Sequence, residues 1–259
     1  MVIYMQRYFL NDNTIIIDNK FKISGNDFHH IKNVMRMKPN DKVYCCIDSK
    51  TYLCKINSFF SDYVELSILE KIEKSVELKV DVTIAQGLVR REKMEEVIRR
   101  IVELGAHKYI PVIMERSIIK VKDSEKSNSK LERQKTIIKE ACEQSHRDKL
   151  MEINDIMSFK ELLTEKSKYD LCLYAYEESG RENNYNLMKY LKTISGDGKS
   201  ILVIVGPEGG FSEKEVSLLE SSGFKAVGLG PRILRTETAP LYIMSVIAYQ
   251  IEMGENNES

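Results

Sequence analysis

No apolar run in this 259-residue sequence exceeds five to seven residues, far short of the ~20 a membrane helix needs. The amino terminus, MVIYMQRYFL, lacks the charged segment and long apolar stretch of a secretory signal. The five cysteines (Cys45, Cys46, Cys54, Cys142 and Cys172) are odd in number and include no CxxC pair. That argues against a disulfide framework or a zinc site, and it fits a reducing, cytoplasmic setting. His29 and His30 are adjacent on a predicted helix, point in different directions and have no Cys or Asp cluster beside them, so no metal site is expected. Net charge is absent as well, with 39 Lys and Arg against 39 Asp and Glu. Residues 1–70 hold nine basic and eight acidic residues, the remainder 30 and 31. Neither part is a basic domain, so any nucleic-acid affinity has to come from a local patch. Internal repeats are missing too.

What is present falls into two rhythms. The first seventy residues carry β-branched and aromatic runs, QRYFL, TIIID, KVYCCID, TYLCKINSFF and YVELSIL, separated by Asn, Asp, Lys and Ser. One helix interrupts them: in NDFHHIKNVMRM, residues Phe28, Ile31, Val34 and Met35 recur at helical spacing. Close-set strands predict a small barrel or sandwich over residues 1–72. The charged stretch at 69–79 reads as a linker. From there strands alternate with helices. VDVTIAQGL, KYIPVIM, YDLCLYAY, ILVIV and FKAVGLG are strands. KMEEVIRRIVELG is a helix with Met94, Val97, Ile98, Ile101 and Leu104 on one face, closed by Gly105. The pattern predicts an α/β domain with a buried parallel sheet over 73–254, then an acidic tail at 255–259. The Lys/Ser stretch near 122–130 reads as a polar loop.

Two loops follow strands, where ligands bind in open α/β sheets. GPEGGFSEKE (206–215) comes directly after ILVIV. It is neither a Walker loop nor GxGxxG, and Glu208 would repel a phosphate. An acid beside exposed backbone suits a neutral or cationic ligand with donors to satisfy. On residue chemistry alone, a tight strand-to-helix turn explains the glycines equally well. Ser212 and Glu215 form a capping box that starts a helix ending at Gly223. The second loop, LGPRILRTETAP (229–240), places Arg232, Arg235, Thr236, Glu237 and Thr238 just before a helix. Thr236 or Thr238 could be a plain cap, but a cap requires neither the arginines nor the glutamate.

Together, GPEGGFSEKE and LGPRILRTETAP resemble the signature of SPOUT-class methyltransferases that modify N3 of a uridine in 16S ribosomal RNA. RYF at 7–9 and HHIKNVMRMKPND resemble that family's amino-terminal PUA-like RNA-binding β-barrel. KMEEVIRRIVELG and EACEQSHR resemble its central segments. The likeness covers nearly the whole chain in order. It departs at Gln134, where the family often has tryptophan, and at His146, where it usually has glycine. It also lacks the family's proline soon after Arg147.

The resemblance implies a carboxyl-terminal trefoil knot, a homodimer, and S-adenosylmethionine as cofactor. Its cofactor loops carry over to Gly206, Pro207, Glu208, Gly209 and Gly210, then Leu229, Gly230, Ile233, Leu234 and Arg235. Leu173 and Tyr174 join from a third loop. Arg235 is the candidate to stabilise the uracil anion, and Glu237 a base or orienting partner, unless the two form a salt bridge that merely shapes the loop. The partner is 16S ribosomal RNA or the small ribosomal subunit, with no membrane. Arg7, His30, Arg36, Arg90, Lys93 and Arg147 are candidate RNA contacts. A methyltransferase acting on a ribose 2′-hydroxyl or another base, or a non-catalytic RNA-binding protein, are the competing readings. Neutral net charge predicts modest, salt-sensitive affinity for bare RNA. Titration of an oligoribonucleotide at rising salt should show binding weaken steadily, and tight, salt-insensitive binding would overturn that electrostatic picture.

Overall fold

Alternating burial along KFKIS, with Phe21 and Ile23 inside and its three polar residues outside, marks a strand with one face on a core. It is β2 (Lys20–Ser24) of a five-stranded sheet with β1 (Arg7–Phe9), β3 (Lys42–Ile47), β4 (Lys50–Phe59) and β5 (Tyr63–Lys71), in the order β1-β3-β4-β5-β2. Only β1 and β3 pair in parallel. The computed structural model describes residues 5–10, 14–119, 128–177, 186–194 and 196–253. Most of the polar loop near 122–130 and the whole acidic tail lie outside them.

Two expectations fail in this part for local reasons. TIIID is not a strand: Ile15 to Ile17 are exposed, and only an isolated bridge joins Ile17 to Lys20 around Asp18 and Asn19 at φ 50° and 60°. Those two residues turn the chain and leave the ladder to KFKIS. The helix starts as α1 (Gly25–His29) but continues over His30–Val34 as a π-turn. The Met35 amide bonds five residues back, to the His30 carbonyl. That wider repeat breaks the 3.6-residue stripe. Ile31 is fully buried, whereas Val34 and Met35 are exposed.

The first compact unit comprises residues 1–77 and also 142–150. Asp148 explains the second piece. Its Oδ1 accepts from Arg7 Nη1 (2.7 Å) and Thr51 Oγ1 (2.6 Å), and its Oδ2 accepts from Ser75 Oγ (3.0 Å) and the Val76 amide (2.9 Å). Arg7 also donates to the Arg147 carbonyl at 2.6 Å. The Arg147 guanidinium pairs with Glu77, which accepts from the Asp148 and Lys149 amides as well. The stretch read as a linker is therefore anchored by its own Ser75, Val76 and Glu77. Arg7 and Arg147 are buried in this network, so they are structural cations and not surface contacts for phosphate. His146 sits here at φ 57°, in the left-handed backbone region that favours glycine.

The second unit, residues 78–141 and 151–259, holds a seven-stranded parallel sheet. Its order is β12 (Lys225–Val227), β10 (Leu171–Ala175), β11 (Lys199–Val205), β6 (Val80–Gly87), β7 (Lys108–Ile113) and β8 (Glu152–Ile153), with β9 (Met157–Ser158) beside β7. Ile201 to Val205 are all buried, as a parallel strand covered on both faces requires. Helices α2 (Arg91–Glu103), α3 (Asn128–Gln144), α4 (Phe159–Thr164), α5 (Leu187–Leu191), α6 (Glu213–Ser221) and α7 (Ala239–Met253) intersperse the strands. Val97, Ile98 and Ile101 of α2 are buried as expected, and both atoms of the Ser212/Glu215 capping box are engaged. No helix among the described residues is long and apolar enough to cross a membrane.

Burial opposes the charge on Asp148, but its hydrogen bonds from Thr51, Val76, Arg7 and Ser75 outweigh that and hold its pKa below the ordinary value. Its stabilising contribution is therefore complete above about pH 3.9 and is lost as pH falls through the depressed folded value. Asp148→Ala, which leaves Arg7 buried without a counter-ion, should cost about 3–5 kcal/mol in denaturant unfolding at pH 7. The difference from wild type should shrink in acid.

Candidate active site

The carboxyl ends of four strands are level across the second sheet: Val227 pairs with Ala175, Ala175 with Val205, and Val205 with Gln86. The loops after β11, β12 and β6 consequently emerge side by side. GPEGG leaves β11 as a tight turn, with the Gly210 amide bonded to the Pro207 carbonyl at 2.9 Å. Gly209 is required there, since a Cβ would stand 2.9 Å from Arg116 Cβ and 3.1 Å from the Arg116 carbonyl. Gly210 has φ +67°. The segment after β7 braces this turn. Arg116 Nη1 donates to the Gly209 carbonyl (3.2 Å), Ser212 Oγ donates to Glu115 (2.8 Å), and the Glu115 amide donates to Glu215 (2.8 Å).

The 229–238 loop starts from β12 at the sheet edge and reaches β6, across the ends of β10 and β11. It is pinned there by a buried network. Gln86 Nε2 donates to the Thr236 carbonyl (2.7 Å) and hydroxyl (3.0 Å), and its Oε1 accepts from Tyr109 (2.8 Å). Thr236 Oγ1 in turn donates to the Gly206 carbonyl at 2.7 Å. Thr236 is thus a pin between the two loops and not a helix cap.

A second tie is ionic. Lys93 Nζ, near the start of α2, lies 3.5 Å from Glu208 and 3.2 Å from Glu237. Lys93 is therefore occupied between the loops, against its expected role as a phosphate contact. Burial opposes ionisation of Glu237, but hydrogen bonds from its own amide and Lys93, with Arg235 nearby, prevail and lower its pKa. A carboxyl so held is a weak proton acceptor near neutrality, which favours orientation over base catalysis. Arg235 lies 4.0 Å from Glu237, yet its side chain is 84% exposed. Its guanidinium therefore keeps most of its surface open to solvent. Glu208 Oε2 is buried and has no hydrogen-bond partner among the described residues.

The remaining sequence candidates separate by burial. Leu229, Gly230 and Leu234 are half-buried on the second loop and Ile233 is exposed. Leu173 and Tyr174 are fully buried, with Tyr174 packed edge-on against Phe211, so their side chains belong to the core and not to a binding crevice. Arg36 and Arg90 are exposed. His30 shares a hydrogen bond with Tyr8 at 3.0 Å.

Residues 76–248 match the family described as RNA methyltransferase domain, and residues 23–69 match RNA methyltransferase PUA domain. The chain belongs to the RNA methyltransferase family. A relative from Bacillus subtilis (strain 168), the ribosomal RNA small subunit methyltransferase E, is 41% identical over 96% of this chain and 98% of its own. The crystal structure of the Neisseria gonorrhoeae ribosomal RNA small subunit methyltransferase E, bound to S-adenosyl methionine, aligns with TM-score 0.81 at 28% identity, covering 95% of this chain and 97% of that one. A methyltransferase structure from Legionella pneumophila, also with bound cofactor, aligns at TM-score 0.79 and 28% identity over 95% and 97%.

In this RNA methyltransferase, sequence reasoning missed Gln86, Glu115 and Arg116. A signal for Gln86 existed: a lone amide inside the apolar strand VTIAQG has to find buried partners. Thr236→Val keeps the shape but removes the hydroxyl that links Gln86 to Gly206. It should cost about 1–3 kcal/mol of stability, read by thermal unfolding, and weaken S-adenosylmethionine binding in calorimetry.

Proposed function

We propose that this chain transfers a methyl group from S-adenosylmethionine to N3 of a uridine in 16S ribosomal RNA. The observation that carries the reading is the pair of strand-end loops, tied through Thr236 and Lys93, that leave a buried carboxylate oxygen of Glu208 without a donor among the described residues. An orphaned acceptor beside a glycine turn fits a cationic cofactor rich in donors. The loop residues Gly206 to Gly210, with Leu229, Gly230, Ile233 and Leu234, would hold it. When bound, the cofactor supplies the electrophilic methyl group.

The chain's own residues do the rest. Uracil N3 becomes nucleophilic as its weakly acidic proton leaves, and a nearby cation favours the anion. Arg235 is our candidate for that cation, and its exposure supports the reading. Glu237, held ionised by Lys93, orients the loop that presents it. The Watson–Crick edge is hidden in a duplex, so the target nucleotide must be unpaired or turned out. Arg36 and Arg90 remain as candidate phosphate contacts. The path of residues 229–238 across the ends of β10 and β11 supports a SPOUT-type trefoil knot. A homodimer in the cytoplasm, acting on ribosomal RNA or the small subunit, completes the proposal; light scattering tests the dimer.

Mapping the methylated position on ribosomal RNA from a knockout strain, before and after complementation, tests the reaction. Methylation restored at a ribose or at another base would overturn the N3 assignment. Arg235→Ala should lose about 10²–10³-fold in turnover with an unchanged melting curve, and near-normal turnover would remove Arg235 from the mechanism. Glu237→Gln should retain most activity. Because the Glu237 pKa is lowered, its charge persists as pH drops to about 5, and the rate should show no acid limb from this group above that point.

A further inference from the structure

At the β4–β5 turn of the first unit, the Phe60 and Tyr63 rings lie parallel, with centroids 4.4 Å apart and planes 14° off. The turn is closed by the Phe60 amide on the Tyr63 carbonyl at 2.9 Å. Lys22 of β2 stands 4.4 Å from the Tyr63 centroid. Phe60 covers one face of that ring, so Lys22 takes the other. The result is a three-layer stack of ammonium, phenol and phenyl ring. Phe60 is its last layer, at 43% exposure, and no ring or cation among the described residues covers its outer face. A second ammonium stands beside it: Lys32 donates to the Phe60 carbonyl (3.5 Å) and lies 5.0 Å over Phe28. The acid in the turn, Asp62, accepts from the Ser61 hydroxyl at 3.0 Å.

We propose that the outer face of Phe60 stacks an unpaired nucleobase of the RNA substrate while Lys22 and Lys32 meet the adjoining phosphates; this rests on the RNA methyltransferase reading above. Every base presents a π-face, so a flat open ring flanked by cations accepts single strands irrespective of sequence. Stacking on Tyr63 fixes the ring beforehand, which lowers the ordering cost of binding. An apolar peptide would want an apolar rim, and this rim is Lys22, Lys32, Ser61 and Asp62. The site also supplies what burial of Arg7 and Arg147 removes, a surface on the first unit that carries both charge and base contact.

The test uses the full chain and a fluorescein-labelled single-stranded oligouridylate, with a blunt RNA duplex of equal length for comparison. Phe60→Ala should weaken single-strand binding about 5- to 100-fold, the range of one lost base stack, with little change for the duplex. Phe60→Trp should restore it. Lys32→Gln should reduce the salt dependence by about one phosphate contact. Calorimetry with S-adenosylmethionine should give wild-type affinity in every variant, which separates loss of the stack from failure of the methyltransferase reading. Unchanged oligonucleotide affinity in a folded Phe60→Ala variant overturns the proposal. So does a defect seen only with the assembled small subunit, which would make this face a protein contact.

Discussion

The Gln86 amide is the constraint on which the site depends. A primary amide inside a parallel sheet, with none of its surface exposed, must satisfy its donors and its acceptor within the fold. Tyr109 takes the acceptor and Thr236 takes the donors. Through the Thr236 hydroxyl the same network reaches the Gly206 carbonyl. One buried polar side chain thereby sets where the chain leaving β12 must lie and how close it comes to the turn after β11. The Lys93 ion pairs lie further out and are partly exposed, where screening weakens them. They tune the charge of the loops, and the hydrogen-bonded amide places them.

In the first unit a charge plays the comparable part. Asp148 receives four donors from separate stretches of chain, so it gathers β1, β4 and the segment after β5 around residues 142–150. The Arg147–Glu77 pair is laid beside it. Two basic residues that a reader of surface charge would assign to RNA are drawn inward by these acids. The open stack at Phe60 stands apart from them, on the β4–β5 turn.

Local chemistry was legible in the sequence and tertiary chemistry was not. The capping box at Ser212, the helix ends at Gly105 and Gly223, and the buried strands all follow from neighbours along the chain, and the structure has each of them. The two loops were visible because the charges of the second, Arg232, Arg235 and Glu237, exceed what a helix cap needs. Val34 and Met35 were misplaced because a single π-turn changes the repeat, and TIIID because its apolar residues precede a turn and not a paired strand. Lys93 read as an exposed cation because the two acids that surround it lie 115 and 144 positions along the chain. Leu173 and Tyr174 belong to the fully covered middle of their strand, which sequence position alone does not reveal.

The discontinuity of the first unit orders its assembly in time. A nascent chain emerging from a ribosome presents Arg7, Thr51 and Glu77 long before Asp148 and Arg147 exist to meet them, since the Arg7–Asp148 contact spans 141 positions. Residues 78–141, which include β6, α2 and β7, must be synthesised in between. The amino-terminal unit therefore cannot finish folding first, although it is made first, and its last polar partners arrive only with a segment of chain that follows part of the second unit.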